Sequence, residues 1–181
     1  MTTPSTGLSQ WEMVDEGWGR KAADFAALSE PGNCREYVIM HHRLGVDAGD
    51  RLLDMACGCG LAIELARLRG ALCCGIDASA RMVAVARDRS PGCDIRVGDM
   101  NALPWGPASF DVVTSFRGIW GTTPGAVTEM HRVLRPGGRL MIIDGYRDAP
   151  WGWFIYDVCV AAVEGDSGME LVAALGRFVA R

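Results

Sequence analysis

Two hydrophobic rhythms alternate along the chain from Arg51 onward. Short apolar runs (RLLDMA at 51–56, ALCCGI at 71–76, DIRVG at 94–98, FDVVTSF at 110–116, RLMIID at 139–144) are interleaved with others. In those, apolar residues recur every three or four positions (GLAIELARLRG at 60–70, SARMVAVARDR at 79–89, PGAVTEMHRVLR at 124–135). The first rhythm is that of a buried strand, the second that of a helix lying on a sheet. Strands joined through helices run parallel, because a right-handed crossover returns the chain to the same end of the sheet, and successive crossovers cover both faces. The pattern predicts a doubly wound, Rossmann-like α/β fold with a parallel sheet of about five strands.

Ahead of this core, Trp11, Val14, Trp18, Ala22 and Phe25 share one face of a helix predicted over Ser9 to Leu28, which Gly17 and Gly19 weaken. Pro31 and Gly32 break it, and a second helix is predicted from Asn33 to Leu44. After Asp144 the readable stretches, Trp151 to Val163 and Met169 to Ala180, are also read as helical. The chain thus reads as one domain over 1–181. It comprises a helical N-terminal cap at 1–50, a nucleotide-binding core at 51–145 and a helical C-terminal segment at 146–181.

Composition narrows the function. The chain has 181 residues, 49% hydrophobic and 22% charged, with a net charge of −4, which argues for a folded protein and against nucleic acid as a partner. The first ten residues lack the basic start and apolar run of a secretory signal, and no stretch is long and apolar enough to span a membrane. The reading is a cytoplasmic protein without a membrane partner. Seven cysteines in unpaired spacings suit reduced, buried thiols better than disulfides or zinc.

The most informative segment is Leu52 to Gly60, an apolar strand carrying Asp54 that runs into a turn with Gly58 and Gly60 and then a helix. Those glycines allow a sharp turn and close approach of a ligand. A dinucleotide fingerprint would place a third small residue at position 63, where this chain has Ile63, and no GK[ST] follows for a triphosphate loop. An acid in the turn suits a ligand bearing positive charge or hydrogen-bond donors rather than a pyrophosphate.

Asp54-x-Ala56-Cys57-Gly58-Cys59-Gly60 resembles the first motif of the class I S-adenosylmethionine-dependent methyltransferases. The resemblance continues in register through Gly75-Ile76-Asp77-Ala78-Ser79, Gly98-Asp99-Met100, Ser109-Phe110-Asp111-Val112-Val113, and Glu129 to Gly138. It implies that S-adenosyl-L-methionine is the cofactor and that the acceptor is a small molecule. It also implies that Asp77 accepts both ribose hydroxyls, beside Ala78, and that Asp99 and Met100 hold the adenine. Asp54 and the Gly58 to Gly60 turn would then face the methionine part, and Ala56 and Ser115 are further cofactor-binding candidates. The ordinary alternative for Asp77 and Asp99 is a turn-forming aspartate after a strand.

Methyl transfer from a sulfonium is an in-line displacement that needs no protein nucleophile. Where an acceptor proton must leave, histidine is the usual base, and of the three histidines His41 is the candidate. His42 beside it faces elsewhere, and His131 lies in the helix before Pro136-Gly137-Gly138, away from the crevice. Arg117 offers a bidentate partner for an acceptor carboxylate, or simply an ion pair. Trp11 and Trp18 are either a lid or core packing. No carboxylate cluster of metal-ligand spacing follows the fourth strand, so no metal is expected.

Related sheets end with an antiparallel strand pair, and the helical reading after Asp144 leaves no such pair. An exposed edge at Arg139 to Ile143 would then leave three readings open: a homodimer, a covering helix or a C-terminally shortened gene product. A second class of function stays open, a methyltransferase-like module that binds the cofactor but acts as a regulatory partner. A nicotinamide oxidoreductase is disfavoured by Asp54 and Ile63.

Overall fold

The computed structural model describes residues 13–119, 124–145 and 156–162. Six strands form one sheet: β1 (Arg51–Met55), β2 (Leu72–Asp77), β3 (Asp94–Val97), β4 (Phe110–Phe116), β5 (Leu134–Gly145) and β6 (Tyr156–Ala162). Their order is β3-β2-β1-β4-β5-β6. The first five strands are parallel, as the apolar runs predict, and β6 is antiparallel to β5.

Pleating sends alternate residues of each strand into two cores. On one face Leu52, Val112 and Met141 pack with Tyr37 of α3 (Cys34–Arg43), Ile63 and Ala66 of α4 (Leu61–Leu68), and Val83 and Ala86 of α5 (Ala80–Arg89). On the other, Leu53, Met55, Val113 and Leu140 pack with Val127, Met130 and Val133 of α6 (Pro124–Val133). Burial on both faces is why β4 shows no polar–apolar alternation, and every one of its residues is buried, Asp111, Thr114 and Ser115 included.

The fold answers the position-63 question in an unexpected way. Ile63 is fully buried, and a Cβ placed on Gly75 of β2 would lie 2.5 Å from its Cδ1. The close approach of helix to sheet is therefore made by a glycine on the strand, with the large residue on the helix.

Two expectations change. The first N-terminal helix is not continuous: α1 (Met13–Gly17), a 3-10 turn (Gly19–Lys21), α2 (Ala22–Asp24), a π turn (Phe25–Ser29) and a 3-10 turn (Glu30–Asn33) precede α3. Gly17, Gly19 and Pro31 supply the breaks, and Trp11 lies outside the described residues.

The second correction concerns the C-terminal segment. Residues 156–162, read as helix, form β6, paired residue by residue from Gly145↔Tyr156 to Arg139↔Ala162. A short apolar run fits either period, and the unpaired N–H and C=O groups of β5 decide it. With β6 in place, that edge no longer argues for a homodimer. The stretch Met169 to Ala180 lies outside the described residues.

Candidate functional site

Open α/β sheets bind ligands at the carboxyl ends of their strands, where the order reverses, here between β1 and β4. A cleft lined by Phe25, Glu30, Tyr37, Asp54, Gly58 and Phe116, with Ala56, Cys57 and Ala62, lies at that point.

The β1 turn is held by backbone conformations that side chains rarely adopt. Ala56 has φ 54°, Gly58 φ 54° and Gly60, which opens α4, φ 80°. A Cβ on Gly60 would lie 2.8 Å from Ala86 Cβ, so α5 packs directly on the turn. Across the cleft, a Cβ on Gly118 would lie 2.1 Å from Ala56 Cβ and 3.1 Å from Ser115 Oγ. Ser115 Oγ is buried beside the turn without a hydrogen-bond partner among the described residues.

Asp54 and Asp77 differ in how they are held. Asp54 is 2% exposed and accepts one hydrogen bond, from Thr114 Oγ1 at 2.7 Å. Burial pushes its carboxyl from 3.8 up to about 7, against the Thr114 bond, with Glu30 and Asp77 adding repulsion. Asp77 accepts Gly58 N–H at 2.9 Å through Oδ2 and Ser79 N–H at 2.8 Å through Oδ1. Burial raises its carboxyl too, and those backbone bonds oppose the rise. A carboxylate has about four acceptor positions, so Asp77 makes its turn and keeps acceptor capacity as well. The turn-forming and ligand-binding readings of this residue are compatible.

Glu30 brings a second carboxylate, 2% exposed, into the cleft that Asp54 lines. Leu61 N–H at the start of α4 donates to its Oε1 at 3.2 Å, and Arg89 Nη1 donates to its Oε2. Arg89 also donates to Cys59 O at 2.8 Å, tying the end of α5 to the turn. Around these acids stand Phe25, whose ring edge would be 3.4 Å from a Cβ on Gly58, and the T-shaped pair Tyr37 and Phe116 with centroids 4.7 Å apart. Burial, with the nearby Glu30 and Asp54 charges, drives the Tyr37 phenol well above its usual range, so it stays neutral.

The chain matches the family described as Methyltransferase domain over residues 53–142. An uncharacterized methyltransferase of Synechocystis is 30% identical over 152 residues, covering 81% of this chain and 72% of that protein. The 27-O-demethylrifamycin SV methyltransferase of Amycolatopsis mediterranei is 33% identical over 151 residues, covering 74% of this chain and 54% of the relative. The chain spans about half the length of most curated relatives it matches. In fold it is similar to the crystal structure of a SAM-dependent methyltransferase from Aquifex aeolicus, with TM-score 0.61, 18% identity, and coverage of 71% of this chain and 76% of that one. The chain belongs to the class I S-adenosylmethionine-dependent methyltransferases.

Within this methyltransferase the N-terminal segment folds over the carboxyl ends of β1 and β2. Ser79 Oγ donates to Asp15 Oδ1 at 2.5 Å, and Arg81 donates to the Asp15 backbone O at 2.9 Å and, through its N–H, to Asp15 Oδ1 at 3.1 Å. The Ser79 bond, chiefly, holds the Asp15 carboxyl below its usual range. Gly19 sits so close that a Cβ there would be 2.3 Å from Asp15 Oδ1, so the residue that weakens the helix also permits the contact. Trp18 packs edge-on against Phe25 at 6.2 Å.

The other expected residues fall in different places. Ala78 follows Asp77 in the same turn, and Asp99 accepts the N–H and the Nδ2 amide of Asn101, with Met100 packed against the second core. His41 does not line the cleft: it lies one helical turn beyond Tyr37 on α3, fully buried, neither ring nitrogen hydrogen-bonded among the described residues, its ring edge-on to Phe116. Burial, with the Arg69 charge adding to it, lowers it to about 4, and it packs in the core away from the cleft lining. Arg117, with φ 59°, forms an ion pair with Glu36 of α3. Sequence reasoning missed Phe25, Glu30 and Tyr37 as lining residues; their signal was an acid and aromatics in a segment with no motif, whereas Phe116 ends the predicted fourth strand at the ligand-binding edge of the sheet.

Proposed function

We infer that the chain binds S-adenosylmethionine in the β1–β4 cleft and methylates a small-molecule acceptor. The observation that carries this reading is the set of three buried carboxylates, Asp54, Asp77 and Glu30, gathered around a glycine turn that a phosphate-binding site would leave free of acids. The residues fit the group: Asp77 has acceptor positions left for ribose hydroxyls, and Ser115 Oγ is an orphaned hydroxyl beside the turn. Asp54, Ala56, Gly58 and Gly60 would then hold the methionine part, Asp77 and Ala78 the ribose, and Asp99 and Met100 the adenine.

Held by these residues, S-adenosylmethionine would supply an electrophilic methyl group for in-line transfer to an acceptor lone pair, with the carbon–sulfur bonding pair left on sulfur as the neutral thioether. The chain's part is to orient and to exclude water. Phe25, Tyr37 and Phe116 wall the cleft, and the carboxylates favour positive charge within it. With His41 in the core, the acceptor's proton would leave to solvent or to a group on the acceptor itself. The rifamycin relative supports a small organic acceptor.

The test is calorimetric titration with S-adenosylhomocysteine and NADH, followed by screening metabolite pools for label from methyl-labelled cofactor. Binding of S-adenosylhomocysteine alone and label in a small molecule are expected. NADH binding without S-adenosylhomocysteine binding would refute the reading, and binding without acceptor-dependent turnover would favour the regulatory module.

A further inference from the structure

The start of α4 is where an α/β nucleotide fold places an anion, because the first helical N–H groups and the helix dipole converge there. In this chain that place is filled from within. Glu30, on the segment before α3, gives Oε1 to Leu61 N–H at 3.2 Å and is 2% exposed. Arg89, which would otherwise add a second attraction for an anion, is paired to Glu30 Oε2 and to Glu64. The same carboxylate lines the cleft together with Asp54. A ligand thus meets carboxyl groups on two sides and finds the anion position already taken.

Resting on the cofactor reading above, we propose that Glu30 is a specificity-determining residue. It is a built-in carboxylate that occupies the anion position at the start of α4, so that the cleft takes a cationic sulfonium cofactor and rejects phosphate-bearing nucleotides. The region that carries this selectivity lies outside the matched residues 53–142. Ile63 cannot do the same work, since Gly75 accommodates it.

Two substitutions break the same ion pair and separate selectivity from structure. Glu30→Gln keeps an amide oxygen for Leu61 N–H but leaves the Arg89 guanidinium and the helix start without their carboxylate. Arg89→Gln keeps Glu30 and removes its counter-charge. Parent and both variants, each checked by circular dichroism, are titrated directly by calorimetry with S-adenosylmethionine and, separately, with inorganic pyrophosphate. Glu30→Gln is expected to bind S-adenosylmethionine about tenfold more weakly and to gain millimolar pyrophosphate binding. The parent and Arg89→Gln bind no pyrophosphate, and Arg89→Gln binds S-adenosylmethionine at least as tightly as the parent. A merely structural role would move both variants the same way, and that result overturns the proposal, as does pyrophosphate binding to the parent. Should Glu30→Gln fail to fold, the sign of the Arg89→Gln change decides. A parent that binds no S-adenosylmethionine would instead remove the proposed function, and the pyrophosphate titrations would still report on Glu30.

Discussion

Replacing Asp77 by alanine removes two things that can be weighed separately. In the free protein its carboxylate accepts Gly58 N–H at 2.9 Å and Ser79 N–H at 2.8 Å. Leaving two largely buried donors without a partner costs about 1 to 3 kcal/mol each. A net loss of about 2 kcal/mol lowers the melting temperature of a chain of this size by roughly 4 to 8 °C. In the complex, two further bonds from ribose hydroxyls are lost. Charge-assisted bonds are worth roughly 1.5 to 3 kcal/mol each and are rarely additive. The expected net loss of about 2 to 4 kcal/mol weakens S-adenosylhomocysteine by about 30-fold to 1,000-fold. Asp77→Asn keeps an amide oxygen for one backbone donor, so it should recover much of the stability and little of the affinity. Asp88→Ala, at an exposed position of α5, should change affinity by less than about twofold. Calorimetry well below the lowest melting temperature measures all three variants. If Asp77→Ala is folded by circular dichroism and binds like the parent, Asp77 is a turn residue only. If Asp77→Asn regains affinity in step with stability, the loss belongs to the turn and not to the ribose.

Three more outcomes are expected. Gly60→Ala combines a backbone at φ 80° with a Cβ 2.8 Å from Ala86, and should cost roughly 2 to 4 kcal/mol of stability in denaturant titration; an unchanged midpoint would mean that α5 moves freely. Because burial raises Asp54 from 3.8 to about 7, its contribution to stability is complete below about pH 4 and declines as pH rises through about 7. Cationic cofactor binding runs the other way, tightening over that upper range with release of a proton, which calorimetry in buffers of different ionisation enthalpy detects. Thr114→Val removes the bond that favours the ionised Asp54, so the midpoint of that binding profile should move to higher pH; a downward move would refute the electrostatic account.

How legible the molecule was in its sequence follows from how local each signal is. β1 to β5, with α4, α5 and α6 between them, each carry their own rhythm, and Asp54, Gly58, Gly60 and Asp77 are fixed by short-range strand-to-turn geometry. β6 was illegible because its strand state comes from the edge of β5, a partner beginning some twenty residues earlier, while its own run is apolar at either period. His41 looked like a base because residue type was the only clue. Its burial involves Phe116, which the sequence places far away.

Ile63 shows where a local rule rested on a requirement that the fold meets elsewhere. The missing small residue at position 63 counted against a dinucleotide because a glycine there permits close helix–strand packing. Gly75 meets that requirement from the strand side, since its absent Cβ leaves the space that Ile63 Cδ1 fills. Packing alone would therefore tolerate a pyrophosphate turn at Gly58 to Gly60. A preference for positive charge would have to come from the carboxylates: Asp54 near the end of β1, Asp77 bonded to the Gly58 N–H of the turn, and Glu30 reaching the start of α4 from a segment that matches no motif. Two of those acids were visible in the nucleotide-binding core. The third was visible only once the chain was folded, and it is the one that occupies the position a phosphate would need.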